Sequence, residues 1–133
     1  MIIGEYIPGE SCGAHFINYK KENCDIADGV AISGVIDTIH KVTIEKDAFS
    51  GHDVFILTGG HDPNKLGEER KRFGAGGPVI IKEGAWLGSR CIIVGPVTIG
   101  RHAVIGAGAV VINDVPDYAL AAGNPAQIKK YYK

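Results

Sequence analysis

The chain has 133 residues, of which 22% are charged, and its formal net charge at pH 7 is −1. This length suits a single domain, and a charge balance without a Lys/Arg stripe argues against nucleic-acid binding. No apolar run approaches the roughly 20 residues that span a bilayer, and the N-terminus lacks the basic and apolar pattern of a secretion signal. Because the three cysteines show neither metal nor disulfide spacing, we expect a reduced, soluble, cytoplasmic protein.

A period of six governs the apolar residues from Ile26 onward. One position of the hexad holds a branched aliphatic residue, interrupted by Thr38 and Ser50, and the position two residues earlier holds a small or medium apolar residue. After residue 80 the first set is Ile81, Leu87, Ile93, Ile99, Ile105 and Val111, and the second is Ala85, Cys91, Val97, Ala103, Ala109 and Val115. Six matches neither the helical repeat nor the two-residue strand repeat. It predicts a chain that turns a corner every six residues, as in a β-helix.

Three hexads make one triangular turn, so the frame predicts four stacked turns, at residues 26–43, 44–61, 81–98 and 99–116. Both apolar columns, including Cys91, should face inward. Each buried Ile or Val contributes about 1.5–3 kcal/mol, and about three stacked repeats suffice for a stable coil. Residues 1–25 follow the frame loosely and predict a partial turn and a loop.

Residues 62–80 leave the frame, and the repeat resumes out of phase. An excursion of 19 residues is too long for a simple connection, so we expect a functional loop, with the mixed charges at 68–72 in solvent. After the coil, residues 127–133 predict a short helix or strand. The chain is thus interpreted as one all-β domain, residues 1–133, with a coil at about 26–116, an inserted loop at 62–80 and a tail at 117–133.

His61 is the first candidate for chemistry, because it ends a turn where the insertion leaves the coil, beside Gly59 and Gly60. We expect its side chain to face a groove, and an imidazole titrates near neutral pH, as a general base requires. The other histidines in the coil, at positions 40, 52 and 102, are expected to be surface residues. Trp86, the only tryptophan, either walls a site or covers an exposed edge of the coil.

Residues 99–125, residues 42–61 followed by Asp62-Pro63, and residues 86–89 resemble the hexapeptide-repeat acetyltransferases. The likeness points to the branch that O-acetylates galactosides, maltose and lipopolysaccharide sugars. It implies a left-handed coil with an extended loop and a short C-terminal segment. It also implies acetyl-CoA as co-substrate, no metal, and a homotrimer whose sites lie between neighbouring coils.

The same resemblance assigns roles to individual residues. It implies that His61 is the catalytic base, that Trp86 walls the site, and that the backbone N–H of Ser89 stabilises the oxyanion. Asp37 lies near a family carboxylate that contacts the acceptor. The implied contacts to CoA are made by Ser89, Ala107, Asn113, Lys129 and Lys130. The two lysines are chosen for the phosphates because Asn113 stands where the family usually has Lys, and Gln127 where it often has Arg.

More than one acceptor and more than one reaction remain compatible with the sequence. We expect a saccharide hydroxyl, free or on a nucleotide or lipid carrier, whereas an amino sugar or an antibiotic would also suit the fold. A zinc lyase resembling the γ-carbonic anhydrases needs three converging histidines, at separations near 18 or five residues. His40, His52 and His61 are separated by 12 and 9 residues. A scaffold coil without activity is the last alternative, which a CoA-binding measurement would distinguish.

Overall fold

The computed structural model describes residues 12–133, which fold as a coil with three sides. In chain order the strands are β1 (His15–Ile17), β2 (Cys24–Ile26), β3 (Gly34–Asp37), β4 (Val42–Ile44), β5 (Phe49–Ser50), β6 (Val54–Leu57), β7 (Gly59–Gly60), β8 (Ala75–Gly76), β9 (Val79–Ile81), β10 (Trp86–Leu87), β11 (Ile92–Val94), β12 (Val97–Ile99), β13 (Val104–Ile105), β14 (Val110–Val111), β15 (Ala119–Gly123) and β16 (Ala126–Tyr131). The helical segments are a 3₁₀ turn at Lys21–Asn23 and a short helix, α1 (Gly67–Arg70). No helix within residues 12–133 has the length and apolarity that crossing a membrane requires.

Three sheets form the sides of the coil. Side A contains β1, β3, β6, β11 and β14; side B contains β2, β4, β9 and β12; side C contains β5, β10, β13 and β15, with β16 added antiparallel. Equivalent residues of successive turns pair in parallel register, as Ile36, Ile56, Ile93 and Val111 do across side A. We name the edges by the sides they join: corner AB includes residues 38–41, 95–96 and 112–114, corner BC 82–84 and 100–102, and corner CA 51–53, 88–90 and 106–108.

The hexad positions predicted to face inward form the core. The aliphatic residues of the frame from Ile81 to Val111 are at most 1% exposed, and so are Ile32, Ile44 and Ile56 in the earlier turns. Cys91 is completely buried, and desolvation raises the pKa of its thiol to about 12. It therefore remains protonated and packs as a small apolar residue, as the frame predicts.

Close stacking of the turns explains the glycine that follows each inward residue in several hexads. A Cβ added to Gly88 would lie 2.5 Å from the carbonyl oxygen of Ile105 in the next turn. Any side chain there would separate the two turns, whereas glycine lets their backbones approach.

The coil starts before the predicted position. Strand β1 pairs with β3, and Phe16 is 2% exposed, so an apolar turn is already present ahead of Ile26. The period of six does not reveal it, because a polar corner containing the 3₁₀ turn interrupts the frame at Lys21–Asn23. The part of the predicted partial turn at residues 1–11 lies outside the described residues.

The later boundaries also differ in detail. The inserted segment returns at β8, and Val79 is already buried in side B, so the coil resumes a few residues before 81. The tail forms a strand rather than a helix, since β16 pairs antiparallel with β15.

Candidate functional site

The inserted loop leaves the coil at corner AB and is closed at its base. Strand β7, at the end of the second predicted turn, pairs antiparallel with β8, and the backbone nitrogen of Gly77 donates to the carbonyl of Thr58 at 2.9 Å. Gly76 has a φ of +92°, and a Cβ there would collide with the Thr58 carbonyl oxygen. This base fixes both ends of the loop on the rigid coil.

Hydrogen bonds within the loop hold its shape. The side chain of Asp62 accepts from the backbone nitrogen of Asn64 at 2.9 Å, as in an Asx turn. The guanidinium of Arg70 donates to the carbonyls of Lys65 at 2.7 Å and Pro63 at 2.8 Å. The charged segment at 68–72 is exposed as predicted, but Arg70 braces the loop instead of only facing solvent.

His61 lies exposed at the start of this loop, with two contacts that orient its ring. Nδ1 lies 2.9 Å from the backbone carbonyl oxygen of Arg72, and the imidazole stacks on Phe73 with centroids 5.0 Å apart and planes at 29°. Because a carbonyl oxygen can only accept, Nδ1 carries the proton and Nε2 carries the lone pair. Within residues 12–133, Nε2 has no hydrogen-bond partner, which suits a group that takes a proton from a ligand.

Trp86 lies on the outer surface of side C. It is 47% exposed and stacks on Phe49, with ring centroids 6.0 Å apart and 10° between the planes. The pairing follows from the coil, because β5 and β10 place these two residues opposite each other. The result is an exposed aromatic surface on a rigid sheet.

Ser89 and Ala107 occupy equivalent positions of successive turns at corner CA. The hydroxyl of Ser89 accepts from the backbone nitrogen of His52 at 3.0 Å, which fixes the corner to the turn below. The backbone N–H groups of Ser89 and Ala107 donate no hydrogen bond to any residue in the described part of the chain. The turns are stacked about 4.8 Å apart, so corner CA carries two donors suited to an extended ligand with carbonyl groups.

One chain does not bring His61 together with these residues. His61 is at corner AB, Trp86 is on side C, and Ser89 is at corner CA. Corners AB and CA are separated by side A, whose strands of two to four residues span roughly 7–13 Å. The candidate residues are therefore divided between two edges of the coil.

Asn113, Lys129 and Lys130 are all exposed. Asn113 lies at corner AB after β14, and the lysines lie on β16 at the C-terminal end of side C. The ammonium of Lys130 is 4.8 Å from the ring centroid of Tyr132. Ala107 and Asn113 are thus separated by a strand of side A, and the described contacts leave the lysines accessible.

Asp37 is 4% exposed, and its carboxylate is fully occupied inside the fold. Oδ2 accepts from the backbone nitrogens of Gly59 at 2.7 Å and Thr58 at 3.2 Å. Oδ1 accepts from the backbone nitrogen of Ile39 and from the side-chain amide of Asn18. These contacts do not favour the predicted role of Asp37 in binding the acceptor. They connect it instead to the loop base, two residues before His61.

The remaining histidines occupy separate places. Nε2 of His40 lies 3.3 Å from the Ala75 carbonyl at the loop base, His52 is at corner CA, and His102 stacks on Tyr118 at corner BC. In residues 12–133 no three His, Cys, Asp or Glu side chains are grouped as metal ligands would be. Of the histidines considered for a zinc lyase, His40 and His61 thus lie at corner AB, whereas His52 lies at corner CA.

Sequence reasoning did not identify Phe73 or the Arg72 carbonyl. Both lie outside the hexad frame, and a backbone carbonyl gives no sequence signal. A closer look at the loop could have selected Phe73, because it is the only aromatic residue in positions 62–80.

The sequence matches known proteins along most of its length. A family model described as "Bacterial transferase hexapeptide (six repeats)" matches residues 78–113. The "Putative acetyltransferase SACOL2570" of Staphylococcus aureus strain COL is 33% identical over 137 aligned residues, covering 84% of this chain and 69% of that protein. A dTDP-3-amino-3,6-dideoxy-α-D-galactopyranose 3-N-acetyltransferase of Aneurinibacillus thermoaerophilus is 54% identical over 55 residues, which are 41% of this chain and 29% of that protein.

Solved structures share the fold. The hexapeptide-repeat acetyltransferase VCA0836 of Vibrio cholerae, in complex with acetyl coenzyme A, superposes with a TM-score of 0.71 and 28% identity over 81% of this chain and 60% of that one. A maltose O-acetyltransferase of Clostridium difficile 630 gives a TM-score of 0.66 and 27% identity over 82% and 64%. The chain thus spans less than two thirds of either structure. The predicted fold class, a left-handed parallel β-helix of hexapeptide repeats, is confirmed.

Proposed function

The chain belongs to the hexapeptide-repeat acetyltransferase family, and on that premise we propose that it transfers an acetyl group from acetyl-CoA to a hydroxyl of a saccharide. The observation that carries this proposal is the 2.9 Å contact between His61 Nδ1 and the Arg72 carbonyl. It orients an exposed imidazole with its Nε2 lone pair available, at the entrance to a loop held on a rigid base.

The reaction proceeds by direct transfer, with His61 as the base. Nε2 takes the proton of the acceptor hydroxyl while the hydroxyl oxygen forms a bond to the thioester carbon. The carbonyl electrons move onto oxygen and give a tetrahedral oxyanion. As the oxyanion collapses, the carbon–sulfur bond breaks and His61 returns the proton to the sulfur, so the products are an acetyl ester and CoA.

The oxyanion is stabilised by the backbone N–H of Ser89. This group has no hydrogen-bond partner in residues 12–133 and is held on a rigid corner, which supports its role as a preorganised donor for a developing negative charge. The pantetheine arm runs along corner CA past Ala107, whose N–H is also free of bonds in that range. Asn113, Lys129 and Lys130 are proposed to contact the rest of CoA, with the lysines at the phosphates.

A homotrimer supplies what one coil lacks. Because His61 is at corner AB and Ser89 at corner CA, corner AB of one protomer must meet corner CA of its neighbour for the two to act together. A repeated contact between unlike corners is heterologous, and a heterologous contact forms a closed ring when the rotation between neighbours is an exact fraction of a full turn, one third for a trimer. Each site then combines His61 of one protomer with Trp86 and Ser89 of the next.

The acceptor is proposed to bind under the inserted loop. The solved maltose O-acetyltransferase supports a saccharide hydroxyl, and the exposed polar loop suits a polyol that is free or carried on a nucleotide or lipid. N-acetylation of an amino sugar is the second candidate, favoured by the 54% identity to an amino-sugar 3-N-acetyltransferase over 55 residues. An amine must be neutral to attack, so that reaction would be favoured at high pH.

A substrate panel tests the proposal. The measurement is release of the CoA thiol from acetyl-CoA with sugars, amino sugars and their nucleotide-linked forms, using the native protein and His61→Ala. We expect turnover with at least one neutral saccharide and its loss in His61→Ala. Turnover with amino sugars alone would establish the N-acetyl alternative, and absence of CoA binding by calorimetry would favour a scaffold coil.

A further inference from the structure

Where the loop leaves the coil, the side-chain carboxylate of Asp37 accepts the hydrogen bonds that a backbone carbonyl accepts in neighbouring turns. In the preceding turn the nitrogen of Thr38 donates to the carbonyl of Ile17, and in the following turn Gly95 donates to Leu57. The nitrogens of Thr58 and Gly59 instead donate to the buried carboxylate of Asp37. Hydrogen bonds to a charged group are roughly twice as strong as neutral ones, so this carboxylate firmly fixes the point from which the loop departs.

Gly59 lies between that carboxylate and the ring of Phe73. A Cβ added to Gly59 would be 3.0 Å from Asp37 Oδ2, 3.0 Å from Phe73 Cδ1 and 3.1 Å from Ile39 Cγ1. Such distances are shorter than ordinary van der Waals contact, so a side chain at Gly59 would force these neighbours to shift by a few tenths of an ångström. Phe73 therefore rests directly on the backbone that Asp37 holds.

Phe73 and its neighbour in sequence make both contacts that orient His61. The Phe73 ring covers one face of the imidazole, with centroids 5.0 Å apart, and the Arg72 carbonyl accepts from Nδ1 at 2.9 Å. Because Phe73 packs against Gly59, the carbonyl of the preceding residue, Arg72, is held at the edge of the imidazole. The chain of contacts runs from Asp37 through Gly59 and Phe73 to His61.

We propose that Asp37 and Phe73 are positioning residues that hold His61 in the Nδ1-protonated tautomer and in one orientation. The inference rests on the proposed function, because it requires His61 to be the base. Neither residue touches the reacting atoms. Asp37 acts by fixing Gly59, and Phe73 acts by supporting the imidazole face and setting the Arg72 carbonyl.

The test compares Phe73→Leu, Phe73→Tyr and Asp37→Asn with the native protein. Phe73→Leu keeps apolar contact but removes the ring, whereas Phe73→Tyr keeps the ring. Asp37→Asn directs an N–H group at backbone donors. We expect kcat to fall roughly 10- to 100-fold in Phe73→Leu and Asp37→Asn, with CoA affinity and the KM for acetyl-CoA unchanged, and to recover in Phe73→Tyr. The ¹⁵N shifts of His61 should move toward a mixture of tautomers in the two impaired variants.

Two matched controls separate positioning from general stability. Phe55→Leu removes a different ring, on side A. The exposure of the two rings is similar, 40% for Phe55 and 47% for Phe73 in the loop. Asp117→Asn changes a carboxylate that accepts from the backbone nitrogen of Arg101 at 2.7 Å, far from the loop at corner BC. Both controls should keep the native kcat and the native His61 tautomer.

A double variant distinguishes failure of this inference from failure of the function. If Phe73 acts through His61, then Phe73→Leu should have no further effect in a His61→Ala background. An equal effect in both backgrounds, or native kcat and tautomer in Phe73→Leu and Asp37→Asn, would overturn the positioning role while leaving the base intact. Native turnover in His61→Ala alone would overturn the proposed function.

Discussion

Trp86 stacks on Phe49 across two turns of the coil, with 10° between their ring planes and 6.0 Å between centroids. Both rings are exposed, at 47% and 44%, on side C of the coil. Exposed aromatic pairs on a rigid sheet are suited to contact with a partner or ligand. Trp86 is also the only tryptophan in the chain, so its fluorescence reports on this surface alone.

We predict that CoA changes the emission of Trp86 in a saturable manner, because the proposed donor channel at Ser89 lies at the end of the same hexad. The measurement is a fluorescence titration with CoA, with adenosine as a control that lacks the pantetheine arm. A linear response, or an unchanged spectrum at concentrations where calorimetry shows binding, would place the donor elsewhere.

His61→Ala should lower kcat by about 10²- to 10⁴-fold, which is the contribution of a positioned general base. CoA binding should be unchanged, because the imidazole does not hold the donor. His102→Ala, at corner BC, provides the control and should keep native turnover.

The native protein should be a trimer in which each site uses two protomers. Light scattering should give about three times the 14.1 kDa mass of one chain. Co-expression of His61→Ala with Trp86→Ala should restore activity that neither variant has alone, because about a quarter of the interfaces in a random mixture join an intact His61 to an intact Trp86. A stable monomer with full activity would contradict the division of the site between corners.

Changing both Lys129 and Lys130 to Ala should weaken CoA binding, and the loss should be largest at low salt. Exposed charges attract phosphates through solvent, and salt screens that attraction. The measurement is CoA affinity at two ionic strengths, with dephospho-CoA as a ligand of lower charge. Changing Lys20 and Lys21 at the opposite end of the coil provides the control. Equal affinity of native protein and double variant at low salt would show that other residues hold the phosphates.

Cys91 should make stability depend on pH in the alkaline range. Burial raises the pKa of its thiol from 9.0 to about 12. Below pH 9 the thiol is protonated in both states, whereas above it the unfolded chain loses a proton that the folded protein keeps. The free energy of unfolding should therefore fall as pH rises toward 12, by at most about 1.4 kcal/mol per unit.

The comparison that isolates this effect is with Cys91→Ala, since Ala85, Ala103 and Ala109 fill the same position of the hexad. The difference in unfolding free energy between the two proteins, measured with urea, should be constant up to pH 9 and should change above it. A difference that stays constant up to pH 10.5 would mean that the thiol is not buried.

The interior of the coil could be read directly from the sequence. A side chain at Ile81 or Ile105 faces inward because the backbone repeats the same geometry every six residues, and a repeated local geometry leaves a repeated apolar pattern. For the same reason Cys91 was correctly expected in the core. His61 was selected as the candidate base because its position ends a turn beside two glycines, which is also a local feature.

The sequence alone determined the repeat coil and the side chains that face its interior, because both depend on a local pattern, whereas the choice of His61 as the base stays a prediction. Only the tertiary structure decided that the carboxylate of Asp37 is buried, that His61 is held by the Arg72 carbonyl and Phe73, and that His61 and Ser89 occupy different corners. Asp37 and Gly59 are 22 residues apart and His61 and Arg72 are 11 apart, with the loop outside the repeat. Such contacts depend on where the chain returns after an irregular excursion, and no periodic pattern records that return.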